Sequence, residues 1–253
     1  VKTAVILSGQ CRTFARTLPN LAWAVFSKLE NPHFYASVAR DADAGAIELL
    51  RERYPKAPIH IEVVEQPNLA EPSYSTSLHA PYAITPTRTP GVGPLQGILR
   101  QLWHNSQAWK FAVKNGAADA DFVVRCRPDL HFARFEMPSQ NSLTRPPLAI
   151  TPYWGNYGPG VCDRFAVLGV CAAAAYFETY DTLPELLASG EPFHPETLVG
   201  ASLRRAGCTI SRTLLAEFAF CRKPDAQHSD FWFEHMQVLP GELAEWAAHL
   251  SKQ

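Results

Sequence analysis

The chain has 253 residues, of which 47% are apolar and 19% charged, enough for one large α/β domain or two small ones around a well-packed core. Its 23 basic and 24 acidic residues leave a formal net charge of -1. That excludes a global pull toward nucleic acid or an anionic membrane, so any anion binding has to come from local charge.

In chain order, residues 3 to 7 (TAVIL) predict a buried strand that breaks at Ser8-Gly9, and a helical pattern follows from about Thr17 through Leu29, with Pro19 in its first turn. Strands are expected at 33 to 39 and 59 to 65, with a helix around Ile47 to Arg53 between them. This alternation opens many α/β sheets. From Gln66 to Gly93 the pattern fails in a run rich in Pro, Ser, Thr and Gly, which reads as a lid carrying Tyr74, His79, Tyr82 and Arg88, or as an ordinary meandering excursion. Pro94 to Val113 predicts the best-defined helix in the chain, with Leu95, Ile98, Leu99, Leu102, Ser106, Trp109 and Val113 on one stripe and Asn115-Gly116 as its stop. A strand follows at DFVV, then strands at 148 to 150 and 165 to 169, helices over 172 to 180 and 195 to 206, the strand-like TISR, and a terminal helix near 242 to 250. The aromatics Phe231, Trp232 and Phe233 fit a core edge, an acceptor groove or a dimer surface. The simplest organisation is a single α/β domain over residues 1 to 253, with a mostly parallel central sheet flanked by helices.

Six scattered cysteines, with no C-x-x-C pair and no zinc spacing, suit free thiols in a reducing cytoplasm. The N-terminal apolar run is too short for a signal peptide, and no segment approaches the roughly 20 apolar residues of a membrane span.

Four clusters carry possible chemistry. In SGQCRT, Gly9 permits close backbone approach and Arg12 can pair with phosphate oxygens, although a turn with a solvent-facing arginine has the same sequence. In RCRPDL, Arg125 and Arg127 alternate with Cys126, so an extended chain points both to one side. Pro128 ends the ladder and leaves Asp129 just beyond it. Two guanidinium groups can neutralise a diphosphate and the carboxylate can hold a divalent metal or a sugar hydroxyl; an internal Arg-Asp pair bracing a turn is the structural alternative. In GVCDRFAVLG, Asp163 is a candidate for an acceptor hydroxyl or a turn carboxylate, with Arg164 beside it and a glycine-rich WGNYGPG run before it able to bring backbone close to a ligand. In FHPETLVGASLRRAG, His194, Pro195 and Glu196 begin a helix, where Glu196 either complements the helix dipole or faces a cleft as a base.

SGQCRT, FVVRCRPDLHF, CDRFAVLG and HPETLVGASLRRAG, in that order over residues 8 to 207, resemble bacterial glycosyltransferase-like proteins of polysaccharide and lipopolysaccharide biosynthesis, which have the nucleotide-diphospho-sugar transferase (GT-A-like) fold. The resemblance implies a Rossmann-like domain with a nucleotide-binding half over residues 1 to 132 and an acceptor-side half over 133 to 253. It implies that Gly9, Gln10, Arg12, Arg125, Arg127 and Asp129 bind a nucleotide-sugar donor, and that Arg164 meets a glycan or lipid-linked acceptor. Asp163 and Glu196 are its candidate bases. Asp129 falls where the family's metal-binding Asp-x-Asp would lie, but the run Arg127-Pro128-Asp129 offers one carboxylate. Mn2+ or Mg2+ at Asp129, or arginines in place of a metal, are both implied. A PAPS-type sulfotransferase and a non-catalytic carbohydrate-binding relative are the alternatives.

Overall fold

The computed structural model describes residues 1–72, 94–138, 148–153, 159–213 and 216–221. The expected recognition side chains at Tyr74, His79, Tyr82 and Arg88, the terminal helix and the Phe231 to Phe233 aromatics lie outside these residues.

A seven-stranded sheet in the order β3-β2-β1-β4-β7-β6-β8 forms the centre. Its strands are β1 (Thr3–Gly9), β2 (Pro32–Ala39), β3 (Ile59–Val64), β4 (Phe122–Cys126), β6 (Leu148–Pro152), β7 (Phe165–Leu168) and β8 (Thr209–Thr213). β1 pairs in parallel with β2 and β4, β2 with β3, and β6 with β8; β7 alone runs against its neighbours β4 and β6. The protein is therefore α/β with a mostly parallel sheet. β4 and β7 pair across residue 132, so the two expected halves share this sheet.

Helices cover both faces: α1 (Phe14–Ala24), α2 (Leu49–Arg53), α3 (Pro94–Lys114), α4 (Val170–Phe177), α5 (Leu183–Ala188) and α6 (Pro195–Arg205). Alternation along β1 sends Val5 and Leu7 into the core shared with Phe14, Leu18 and Leu21 of α1, and Ala4 and Ile6 into the core shared with Leu99, Leu102 and Trp109 of α3. Trp109 stacks on Phe177 of α4 with ring centroids 5.7 Å apart, which ties two helices of that layer together.

Three expectations are corrected. α1 starts at Phe14 rather than about Thr17 and ends at Ala24, with Pro19 inside it instead of in its first turn. Pro19, which has no N–H to donate to the Ala15 carbonyl, and Ala15 itself are both exposed. Val113 is 40% exposed, and Ala112 takes the inward position in the last turn of α3. A second, two-stranded sheet pairs β5 (Leu130–Phe135) antiparallel with β9 (Ala216–Phe220), partners more than eighty residues apart that local periodicity cannot connect.

Candidate functional site

The sheet order decides what can meet. Leu7 pairs with Cys126, so the segments after β1 and β4 leave the sheet at one rim. Cys126 also pairs with Phe165, the first residue of reversed β7, which brings Asp163 and Arg164 to that same rim from a later segment. α6 adds its first turn, because Val161 N donates to the Glu196 carbonyl at 3.0 Å.

The turn after β4 is braced from several sides. Gly9, at φ +125, adopts a conformation that an L side chain resists, and a Cβ there would stand 3.8 Å from Pro128 Cδ. Thr17 Oγ1 donates to the Pro128 carbonyl at 2.5 Å, and Cys221 N donates to the Asp129 carbonyl at 2.8 Å. Thr13 Oγ1 donates in turn to the Cys221 carbonyl. Asn20 of α1 clamps β5 by donating to the Phe132 carbonyl at 2.9 Å and accepting Phe132 N at 2.6 Å.

Held in this frame, Arg127 forms a bidentate pair with Asp129, Nε to Oδ1 at 2.9 Å and Nη2 to Oδ2 at 2.7 Å. The Arg127 guanidinium also lies 5.0 Å from the ring centre of Phe220, and that of Arg164 lies 5.1 Å from the same ring. Arg164 Nη2 donates to Glu196 Oε1 at 3.0 Å, and its Nε stands 3.5 Å from Asp163 Oδ1. His194 Nδ1 is 2.7 Å from Glu196 Oε2, and Gln101 Nε2 donates to Asp163 Oδ2. One network thus joins Asp129, Arg127, Phe220, Arg164, Asp163, Glu196 and His194. Burial, and then the charge of Asp163, push the Glu196 carboxyl above the usual range, against the opposing pull of His194 and Arg164.

Of the expected donor-binding residues, Arg127 and Asp129 enter this network, and Gly9 stands beside it. Arg12 is exposed and hydrogen-bonds the Gln10 side chain across the β1–α1 turn. Arg125 differs from expectation: it is 1% exposed and donates to the carbonyls of Cys126 at 2.6 Å and Ser8 at 3.3 Å. β4 ends at Cys126, so Arg125 stays in the buried alternation of the strand while Arg127 turns away with Pro128. The WGNYGPG glycines were expected to approach a ligand; the last of them, Gly160, lies against the backbone of Glu196 instead. Phe220 and Gln101 escaped the sequence reading. Phe220 sits in a short, mostly buried strand, AEFAF, and Gln101 in an amphipathic helix, without a motif around either.

The described residues around Asp129 do not make a metal site. Asp129, the expected ligand, gives both oxygens to Arg127, and among the described residues no group of three or more His, Cys, Asp or Glu side chains converges to hold a cation. All six cysteines are free, and among the described residues no helix is long and apolar enough to cross a membrane. No family model matches the chain, and no curated protein matches it.

Proposed function

We propose that the protein is a glycosyltransferase of the nucleotide-diphospho-sugar (GT-A-like) class, moving a sugar from a nucleoside diphosphate donor to a glycan or lipid-linked acceptor. The observation that supports this reading is the convergence of side chains from the segments around 127–129, 163–164 and 194–196 at one rim of the sheet, next to the β1–α1 turn. In open α/β sheets, that rim is where ligands bind.

The charges there alternate: Arg127 and Arg164 stand among Asp129, Asp163 and Glu196. Such a set of donors and acceptors suits the hydroxyls of a sugar, while Arg12, exposed and bonded to the neutral Gln10, suits the charge that develops on the departing diphosphate. Glu196 takes the acceptor proton, a role that its raised carboxyl affinity for protons favours at neutral pH. In that step the acceptor oxygen bonds to the anomeric carbon, and the bond to the β-phosphate oxygen breaks with its electron pair on the leaving diphosphate. The acceptor proton passes to Glu196. No step runs through a metal. Six free thiols support a cytoplasmic setting.

A thermal-shift panel of UDP-, GDP-, CMP- and dTDP-sugars, PAP and free glycans, each with and without Mn2+ or Mg2+, tests the reading. Stabilisation by a nucleotide sugar supports it. Stabilisation by PAP alone makes the protein a sulfotransferase, and by free glycan alone a carbohydrate-binding module. A requirement for the cation would overturn the metal-free step.

A further inference from the structure

Behind the rim network lies a second cluster that the proposed reaction leaves unused. Ser8 and Arg125 follow Ile6 and Val123 into the layer under α3, where Gln101, His104 and Asn105 occupy neighbouring positions on the helix. Ser8 Oγ donates to Asn105 Oδ1 at 2.8 Å, and the Ser8 carbonyl accepts Arg125 Nη2 at 3.3 Å. Gln101, half-buried, links the cluster to the rim through Asp163.

Arg125, Asn105, Asp163 and His104 are 1%, 2%, 2% and 3% exposed. Yet Arg125 Nε, Asn105 Nδ2 and both ring nitrogens of His104 make no hydrogen bond among the described residues, and Asp163 Oδ1, which makes none either, stands 3.5 Å from Arg164 Nε. An unmet buried polar group costs about 1–3 kcal/mol, and native interiors carry few of them. A concentration of them in one place marks a position where hydrogen-bonding atoms from outside the chain can be received.

The mixture of atoms indicates its chemistry. Arg125 Nε, Asn105 Nδ2 and one His104 nitrogen donate; Asp163 Oδ1 and the other His104 nitrogen accept. Burial, and then the Arg125 charge, lower the His104 pKa to about 4, so the ring stays neutral and keeps its acceptor. A phosphate would call for donors alone. Vicinal hydroxyls, each able to donate and accept, match both kinds of atom.

We propose that His104, Asn105 and Arg125, with Asp163, form a hydroxyl-reading subsite that receives part of the donor sugar and determines which sugar is accepted. The identity of the ligand rests on the transferase reading; the subsite itself rests on the buried cluster.

The test compares wild-type protein with Asn105→Ala and His104→Gln in thermal shift and calorimetry. The probes are UDP-glucose, UDP-galactose, UDP-N-acetylglucosamine, GDP-mannose, UDP and GDP. The expected result is that wild-type protein binds one nucleotide sugar more tightly than the matching nucleoside diphosphate. Both variants should lose about tenfold or more of that difference, the equivalent of one buried hydrogen bond, and bind the nucleoside diphosphate as before. Where Asn105→Ala fails to fold by circular dichroism, Asn105→Asp keeps the volume and turns a donor into an acceptor. Variants that keep the full sugar-dependent difference overturn the subsite and leave the transferase reading standing. A wild-type protein that none of the UDP-, GDP-, CMP- or dTDP-sugars stabilises overturns the transferase reading, and the sugar assignment with it.

Discussion

Gly160 offers the sharpest test of how the site is held together. A Cβ built there would lie 2.6 Å from Glu196 C, 2.7 Å from Glu196 O and 2.8 Å from Thr197 N, all backbone atoms that no rotamer change can remove. Its carbonyl accepts Arg212 Nη2 at 2.6 Å, and Arg204 and Arg212 both donate to the Pro159 carbonyl, at 2.9 and 2.8 Å, so the loop cannot simply swing aside. Gly160→Ala therefore forces the first turn of α6 away from the loop by somewhat under about 1 Å, at an overpacking cost of about 1–3 kcal/mol. Loss of the Val161–Glu196 backbone bond adds about 1 kcal/mol. For a chain of this size, a loss of about 2–4 kcal/mol lowers the Tm by roughly 4–16 °C. Circular dichroism melts check it, with Gly45→Ala, which would meet nothing within 4 Å, as the control expected to shift by less than about 0.5 kcal/mol. The same displacement moves Glu196 relative to Arg164, so any transferase activity should fall further than stability explains. A Gly160→Ala protein that melts with the Gly45→Ala control would show that the loop does not pack on α6 in solution.

Four other outcomes are expected. His104, with a pKa lowered from 6.5 to about 4, is neutral in the fold while its unfolded form takes up a proton. Its contribution is thus complete above pH 6.5 and fades by about 3 kcal/mol as pH falls toward 4, a slope that denaturant titrations should find reduced in His104→Gln. Glu196 has the opposite sign: its folded pKa lies above 4.5, the folded state holds the extra proton, and stability declines as pH rises from 4.5 through the folded value. Glu196→Gln should flatten that limb of the stability profile. Arg12→Ala should leave the melting temperature of the free protein within about 1 °C, because the side chain is exposed, while weakening stabilisation by UDP or GDP and its salt dependence. Under native conditions iodoacetamide should modify exposed Cys171 first and leave buried Cys126 and Cys162, whose thiols burial raises to about 12 and about 11, unmodified until the protein unfolds; peptide mapping reads this directly.

The sequence pattern revealed the elements whose cause is local. AVIL of β1 and FVV of β4 are uninterrupted apolar runs because their strands are buried on both faces, and the α3 stripe repeats at the helical period because one face packs on the sheet. It could not reveal the β5–β9 pair, because nothing near LHFARF encodes its register with AEFAF. The same limit governs the site. RCRPDL, CDR and HPE stood out as clusters of charge, but their meeting depends on β7 being reversed, a feature of the sheet rather than of any one motif. Gln101 and Phe220 carried no signal because their roles lie wholly in what other segments bring to them. Gly160 looked like a loop residue beside a ligand; its need for glycine comes from the α6 backbone.

The charged residues after Val124 were expected because a polyanion docks there, and the structure gives them another explanation. Arg127 is answered by Asp129 within its own turn, and Arg164 by Asp163 beside it and Glu196 from α6. Arg125 is answered by carbonyls at the ends of β1 and β4. Three arginines and three carboxylates leave the region near neutrality, so a dianionic diphosphate laid over it would have to displace existing partners and strand buried charge, at several kcal/mol per ion. A neutral polyol exchanges hydrogen bonds with the same groups without that cost. Under the proposed transferase reading, the sugar would therefore lie over the network and the buried cluster behind it, and the diphosphate over the β1–α1 turn, where Arg12 is exposed and its bonded partner, Gln10, carries no charge.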